Sequence, residues 1–86
     1  DHPDSLYQVG RLYYNRNAKD DVDRAEKLWL RAVEVQPDFG NVLYSLALLY
    51  DKKGNRAEAI KYMEKVQALH PDNQDVAKVL KTWRGR

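Results

Sequence analysis

Few side chains in this sequence are of the types that catalyse reactions or bind metal ions. The chain has two serines, one threonine, two histidines and no cysteine. His2 and His70 each precede a proline, which favours an extended or turn conformation, and neither has a second histidine at metal-ligand spacing. We therefore expect both histidines to be exposed turn residues, without a catalytic or metal-binding role.

An acidic run, Asp20-Asp21-x-Asp23, has the side chains that calcium prefers. The glycine and the distal glutamate of a calcium-binding loop are missing, so the run is expected to cap a helix instead. The four glycines are too scattered to form a loop that cradles a phosphate. The sequence therefore predicts no enzyme activity, no metal site and no cofactor.

Composition places the chain among folded domains. It has 86 residues, of which 43% are hydrophobic and 33% charged, with a net charge of +2. This length fits one domain with a modest core, stabilised by packing alone because disulfides are impossible. No apolar run is long enough to span a membrane, and the first four residues do not resemble a signal peptide, so no direct membrane insertion is expected. The compartment stays open.

The charges do not form the basic face that nucleic-acid-binding proteins use. Lys61 and Lys65 alternate with Glu58 and Glu64, which is typical of a helix face in contact with water. We therefore expect no nucleic-acid partner.

The sequence repeats itself with a period of thirty-four residues. Gln36-Pro37-Asp38 recurs as His70-Pro71-Asp72, and each proline follows an alanine, Ala25 or Ala59, by twelve residues. Four residues after those alanines come two large apolar side chains, Trp29 and Met63. A repeated unit of this length predicts a helical repeat architecture.

A second pattern precedes each alanine. Two large residues, a small residue and an aromatic residue follow one another with the same spacing in both copies: Leu6, Val9, Gly10 and Tyr13, then Leu43, Leu46, Ala47 and Tyr50. These offsets place all four side chains on one helix face, where the small residue allows a second helix to come close. Each such face is expected to be covered by a partner helix.

These residues resemble the tetratricopeptide repeat, whose pattern is W-x2-L-G-x2-Y, then A-x3-F, then P. The resemblance covers almost the whole chain, although leucine stands at the first tryptophan position in both copies. It implies an all-α fold, a right-handed α-solenoid of two helical hairpins and a C-terminal capping helix. The first repeat is predicted at about 3–37, the second at about 38–71 and the capping helix at about 72–84.

The first repeat departs from the family by three extra residues between its helices. Tyr13 lies twelve residues before Ala25, whereas Tyr50 lies nine before Ala59. A register without the insertion would place Tyr13 at the small-residue position, and its bulk would hold the helices apart. We therefore expect a protruding polar loop within Asn17 to Asp21, a change that costs little in loop entropy.

The helix boundaries follow from proline, glycine and capping residues. Asp20 or Asp21 is predicted to cap the second helix, Gly54 to end the third in a left-handed conformation, and Asn55 with Glu58 to form a capping box. The predicted helices are Pro3–Asn15, 22–35, 39–52, 56–69 and 73–84.

The last predicted helix has no partner in the repeat pattern. Val76, Val79, Leu80 and Trp83 form an apolar stripe beside charged residues, as expected of a cap on the second repeat. Core packing is also the expected role of Trp29 and of the two pattern tyrosines. Because two repeats and a cap are fewer than the three usually needed for stability, we expect a piece of a longer array or a homo-oligomer.

In the resembled family, the first helix of each repeat lines a concave groove that binds a segment of another protein. Carried over to this sequence, the resemblance implies nine partner-binding residues, here termed the groove residues: Tyr7, Arg11, Tyr14, Asn41, Tyr44, Leu48, Asp51, Lys78 and Thr82. Tyrosine suits such contacts because it has a large apolar face and few rotamers to restrict. The tyrosines could equally pack between repeats, so both roles stay open.

Some family members capture a C-terminal carboxylate with a lysine and an asparagine in the first repeat. Tyr7 and Arg11 stand at those two positions here, so this mode is not expected. The resemblance instead implies a scaffold or adaptor that binds an extended or helical segment. The apolar row of Tyr7, Tyr44 and Leu48, with Arg11 and Lys78 at its edge, would suit an apolar or aromatic segment that carries an acidic group. The alternative is a module that associates with a second copy of itself.

Overall fold

Residues 2–85 fold into five α-helices. The structure is a computed structural model and describes residues 2–85, which contain no strand. The helices are α1 (Pro3–Arg16), α2 (Asp21–Val35), α3 (Gly40–Lys52), α4 (Arg56–Leu69) and α5 (Gln74–Arg84). The predicted all-α class is confirmed, and each predicted helix boundary lies within one residue of the observed one. None of these helices has the length and apolar character needed to cross a membrane.

The chain forms two compact units, the first ending at Val42 and the second beginning at Leu43. In the first unit α1 packs on α2 through Gly10, which is buried under the indole ring of Trp29. The Trp29 Nε1–H donates a hydrogen bond of 3.2 Å to the backbone oxygen of Tyr7. Ala25, Trp29 and Ala32 of α2 are buried, as the repeat pattern predicts.

The prediction that one covered face holds all four pattern residues of α1 is wrong. Gly10 is buried, but Leu6 and Tyr13 are half-buried and the side chain of Val9 is 42% exposed. Successive helix residues differ by about 100° in direction, so Val9 lies on the flank of α1 when Gly10 faces Trp29. In the second copy Leu43, Leu46 and Ala47 are buried, and Tyr50 is half-buried.

The loop between α1 and α2 is polar and exposed over residues 17–20, as predicted. Asn17 and Asp20 both have positive φ angles, 53° and 67°. Asp20 occupies the N-cap position of α2, but its side chain makes no capping hydrogen bond, so the predicted capping role of this side chain is wrong. With Asp20 in a left-handed conformation, the carboxylate of the next residue binds the loop instead.

That carboxylate belongs to Asp21, which is 0% exposed. It accepts hydrogen bonds from Arg16 Nε and Nη2 at 2.7 and 2.9 Å, from the Ala18 N–H at 3.0 Å and from Arg24 Nη1 at 3.1 Å. The hydrogen bonds from Arg16, with further ones from Ala18 and Arg24, hold the pKa of Asp21 well below its usual range despite burial, which opposes this shift. The same contacts raise the pKa of the Arg16 guanidinium.

In the second unit, α3 ends at a glycine as predicted. Gly54 has a φ of +82°, its N–H donates to the oxygen of Asp51, and the Asn55 N–H donates to the oxygen of Tyr50. This pair of bonds is a Schellman motif, which satisfies carbonyl groups that the helix end leaves free. The Asn55 side chain then accepts from the Glu58 N–H at 3.2 Å and so caps α4.

The last helix packs on α4 in the way predicted for a cap. Val76, Leu80 and Trp83 are buried and Val79 is half-buried, while Lys78, Lys81 and Arg84 are exposed. The Asn73 side chain accepts from the N–H groups of Asp75 and Val76 and starts the helix. Two arginines bind α5 to α4: Arg56 lies 5.4 Å from the Trp83 ring centre, and Arg84 Nη2 lies 2.6 Å from Glu64 Oε2.

Candidate partner-binding surface

The groove residues lie on three helices and are at least partly accessible. Arg11, Asn41, Tyr44, Lys78 and Thr82 are exposed, and Tyr7, Tyr14, Leu48 and Asp51 are half-buried. Tyr7, Arg11, Tyr14 and Asn41 belong to the first unit and the other five to the second. Their contacts are described within each unit.

In the first unit the structure brings Tyr7 and Arg11 together. The guanidinium carbon of Arg11 lies 5.7 Å from the centre of the Tyr7 ring, within the range of a cation–π interaction. The other neighbour of Tyr7 is Phe39, whose ring centre is 5.5 Å away with the ring planes at 56°. Such a tilted arrangement is favoured between aromatic rings. Tyr7, Arg11 and Phe39 are termed the aromatic–arginine cluster below.

Tyr14 uses part of its surface inside the first unit. Its ring centre lies 5.5 Å from that of the buried Trp29, with the planes at 40°. This contact helps to pack α1 on α2, so a smaller part of the Tyr14 ring is accessible to a partner. Asn41, near the start of α3, is exposed.

In the second unit the groove residues have less contact with one another. Tyr44, 36% exposed, and Leu48 lie one turn apart on α3 and share a helix face. The carboxylate of Asp51 is 2.9 Å from Arg56 Nη2, so its charge is paired within the unit. Lys78 and Thr82 are exposed one turn apart on α5.

Sequence reasoning missed Phe39 as a member of this surface. Phe39 follows the Pro37-Asp38 turn, outside the positions that the repeat pattern marks, and is half-buried beside Tyr7. The only available signal was an aromatic residue next to a turn, where a solvent-facing loop usually has small or polar side chains. Outside this surface, sequence reasoning also did not predict that Tyr62 stacks on Tyr50, with ring centres 5.6 Å apart and ring planes at 15°.

Within residues 2–85, no three histidine, cysteine, aspartate or glutamate side chains are grouped so as to hold a metal ion. The groove residues offer aromatic faces, hydroxyls, a guanidinium, an ammonium, an amide, a carboxylate and an aliphatic side chain. These groups bind peptides through stacking, hydrogen bonds and charge pairing.

Comparison with known families agrees with the helical repeat. The family model described as "Tetratricopeptide repeat" matches residues 40–73, which include α3 and α4. This segment therefore contains a tetratricopeptide repeat, a unit that generally acts as a scaffold for contacts between proteins. Of the two predicted repeats, the match lies on the second.

One relative of this chain is the "Cellulose synthase operon protein C" of Pseudomonas fluorescens (strain SBW25). It is 33% identical to this chain over 69 residues, which are 80% of the chain. The matched segment is 5% of the length of that relative. The chain thus spans only a small part of the length of this relative.

Proposed function

We propose that this chain is a non-catalytic binding module that holds an extended or helical segment of a partner protein and serves as a scaffold or adaptor. The match to the tetratricopeptide repeat supports a role in binding other proteins. The choice of the groove residues as the contact surface rests on one observation: Tyr7 and Tyr44, at the same repeat position, both retain accessible ring surface.

Accessible tyrosine rings favour binding over a purely structural role. Tyr44 is 36% exposed and Tyr7 is half-buried, so both residues keep surface that a partner could cover. A partner side chain that covers such a ring removes apolar area from water at about 25 cal/mol per Å². Each of the two rings would therefore give a partner one apolar contact point within its own unit.

The name of the relative suggests which partners to test first. If the chain acts in a setting like that of the cellulose synthase operon protein, its partner is a product of the same operon. The experiment uses an array of overlapping peptides from proteins encoded by the genes next to the one that encodes this chain. The array is probed with the purified chain.

Three variants test the groove residues on that array: Tyr7→Ala, Tyr44→Ala and Arg11→Ala. Each is expected to weaken binding about tenfold or more, the usual effect of removing an interface residue worth more than about 1.4 kcal/mol. Lys61→Ala, which removes an exposed charge on α4, serves as the control and should bind as the wild type does. Unchanged binding by all three groove variants would exclude this surface.

A second candidate function, self-association, is favoured by an exposed apolar patch on α1. The side chains of Val9 and Leu12 are 42% and 71% exposed, and with Tyr13 and Arg16 they line a shallow pocket of about 390 Å³. The residues thirty-seven positions later, Leu46 and Leu49, are 0% exposed. A second copy of the chain could bury Val9 and Leu12 through the same patch on both copies.

Light scattering across a range of concentrations tests this candidate. Self-association would be supported if the molecular mass of the wild type rises with concentration while that of Leu12→Asp stays at the monomer value. Gln8→Asp, an exposed substitution on the same helix, controls for the added charge. A monomeric wild type at every concentration would reject self-association.

A further inference from the structure

Arg11 differs from most arginines of the chain in its partners. Among residues 2–85, its contact is the face of the Tyr7 ring, and no carboxylate pairs with it. Arg16 and Arg24 pair with Asp21, Arg56 with Asp51 and Arg84 with Glu64. The exposed Arg11 guanidinium is therefore a positive charge whose hydrogen-bond donors are free to meet an acceptor from outside.

The aromatic neighbours of Arg11 give this charge an apolar surrounding on one side. Tyr7 and Phe39 are in ring contact and both keep part of their surface accessible. A guanidinium that lies over an aromatic ring keeps its N–H groups directed outward in its own plane, where they fit the two oxygens of a carboxylate. The cluster thus combines an apolar surface with a carboxylate-binding group.

The cluster is held in place by the core of the first unit. The backbone oxygen of Tyr7 accepts the hydrogen bond of the buried Trp29 indole, and Gly10, one residue before Arg11, lies against the same ring. This fixes the rotation of α1 and with it the direction in which Tyr7 and Arg11 point. A preorganised surface loses less conformational entropy when a ligand binds.

Nearby acidic residues limit how much negative charge a ligand can carry. Asp4 lies two turns before Arg11 on the same face of α1, about 10 Å away. Asp38 is the neighbour of Phe39 in sequence. A ligand with many negative charges, such as a nucleic acid, would bring some of them close to these two carboxylates, where the repulsion acts over the screening length of about 8 Å in physiological salt. One carboxylate placed at Arg11 meets less opposition.

We propose that the aromatic–arginine cluster binds an aspartate or glutamate side chain that is followed or preceded by an aromatic or large aliphatic residue in the partner segment. The carboxylate pairs with Arg11, and the apolar residue covers Tyr7 and Phe39. An internal acidic side chain fits better than a chain terminus, because the flank of a helix offers no free backbone N–H groups to surround a terminal carboxylate. This inference rests on the proposed binding function.

Selection from a random peptide library displayed on phage tests the proposal. The wild-type chain is expected to enrich peptides in which an acidic residue adjoins an aromatic or aliphatic one. Arg11→Glu should lose this preference, while Lys27→Glu, which makes the same charge change on an exposed position of α2, should keep it. Arg11→Gln repeats the test without a new charge, and thermal unfolding checks that each variant is folded.

Binding of one enriched synthetic peptide then gives the size of the effect. Arg11→Ala and replacement of the peptide's acidic residue by its amide should each weaken binding ten- to a hundredfold, as expected for a charge-assisted hydrogen bond, and the two changes together should weaken it little further.

The outcomes separate the two proposals. Enriched peptides without an acidic residue, or a preference that Arg11→Glu leaves unchanged, would overturn the role of the cluster but leave the binding function standing. If no peptide is enriched by the wild-type chain, the proposed binding of extended segments fails, and this inference fails with it.

Discussion

A single glycine sets how closely the first two helices approach. A Cβ atom at Gly10 would lie 2.3 Å from Trp29 Nε1 and 2.7 and 2.9 Å from two ring carbons. All three distances are shorter than any normal contact, and a buried indole ring has little room to move. Gly10 is therefore a steric requirement of this packing, although glycine is a poor helix former.

Gly10→Ala tests this requirement. Alanine would favour the helix by about 1 kcal/mol, but overpacking against the buried Trp29 ring should cost about 2–3 kcal/mol, so we expect a net loss of about 1–2 kcal/mol in the free energy of unfolding. Urea unfolding measures the change. Gln8→Ala, at an exposed position of the same helix, should leave the stability within about 0.5 kcal/mol of the wild type. An equally stable Gly10→Ala would contradict the observed packing.

Asp21 is the residue that makes stability depend on acid. Its carboxyl has a lower pKa in the folded chain than in the unfolded one, chiefly because Arg16 donates hydrogen bonds to it. The folded state therefore binds a proton here less readily, and the stabilisation is complete above the ordinary aspartate pKa of about 4. It is lost progressively as the pH falls below that value toward the folded pKa.

Asp21→Asn removes the charge but keeps the shape. We expect the variant to unfold at lower urea than the wild type at neutral pH, with a constant difference above about pH 5 that narrows as the pH drops below about 4. Asp38→Asn, which changes an exposed aspartate in the turn before α3, is the control and should show a smaller difference. A difference that stays the same at every pH would show that the charge of Asp21 is not what stabilises the loop.

At the scale of helices, the sequence predicted the helix ends well because these depend on local chemistry, although the Asp20 side chain makes no capping hydrogen bond. Gly54, Asn55 and Pro71 have conformations or hydrogen bonds that few other residues provide. The exposed flank at Val9 and the buried carboxylate at Asp21 were not predicted. Both depend on how two helices pack against each other. A repeat pattern shows which residues share a helix face, but it does not show how far the helix is rotated about its axis toward its neighbour.

The candidate binding surface shows the same limit. The resemblance supplied Tyr7 and Arg11 by position, and their mutual contact follows from a spacing of four residues on one helix. Phe39 joins them from the start of a different helix, after a turn whose direction the sequence does not reveal. Contacts between residues distant in sequence therefore had to come from the structure.

The turn between α3 and α4 provides a test at this scale. At Gly54, with a φ of +82° and nothing within 4 Å of an added Cβ, a substitution would be limited by backbone strain and not by space. Gly54→Ala should lower the free energy of unfolding by about 1 kcal/mol. Gly54→Asn should cost less, because asparagine adopts the left-handed conformation more readily. Equal stability of all three proteins would argue against the Schellman motif.

At the scale of the whole molecule, a chain of this size has little stability to spare. A domain of this length is expected to have roughly 4–13 kcal/mol in total. The second unit depends strongly on α5, whose Trp83 is 6% exposed and lies under the Arg56 guanidinium. A large fraction of the total stability should therefore rest on one side chain near the end of the chain.

Trp83→Ala is expected to lower the free energy of unfolding by about 3–5 kcal/mol, the usual cost of truncating a buried tryptophan. Urea denaturation followed by circular dichroism measures the loss, and hydrogen exchange should show the amides of α5 opening first. Trp83→Phe keeps much of the apolar contact and should lose less. If Trp83→Ala is as stable as the wild type, α5 is not the stabilising cap described above.

The placement of the two tryptophans has a practical consequence. Trp29 belongs to the first compact unit and Trp83 to the second, and the chain has no other indole. Their surroundings differ, since one indole donates a hydrogen bond to a carbonyl and the other faces a guanidinium. Replacing either one by phenylalanine leaves an intrinsic fluorophore in a single unit, so the emission of the two variants would follow each half of the chain separately during unfolding or ligand titration.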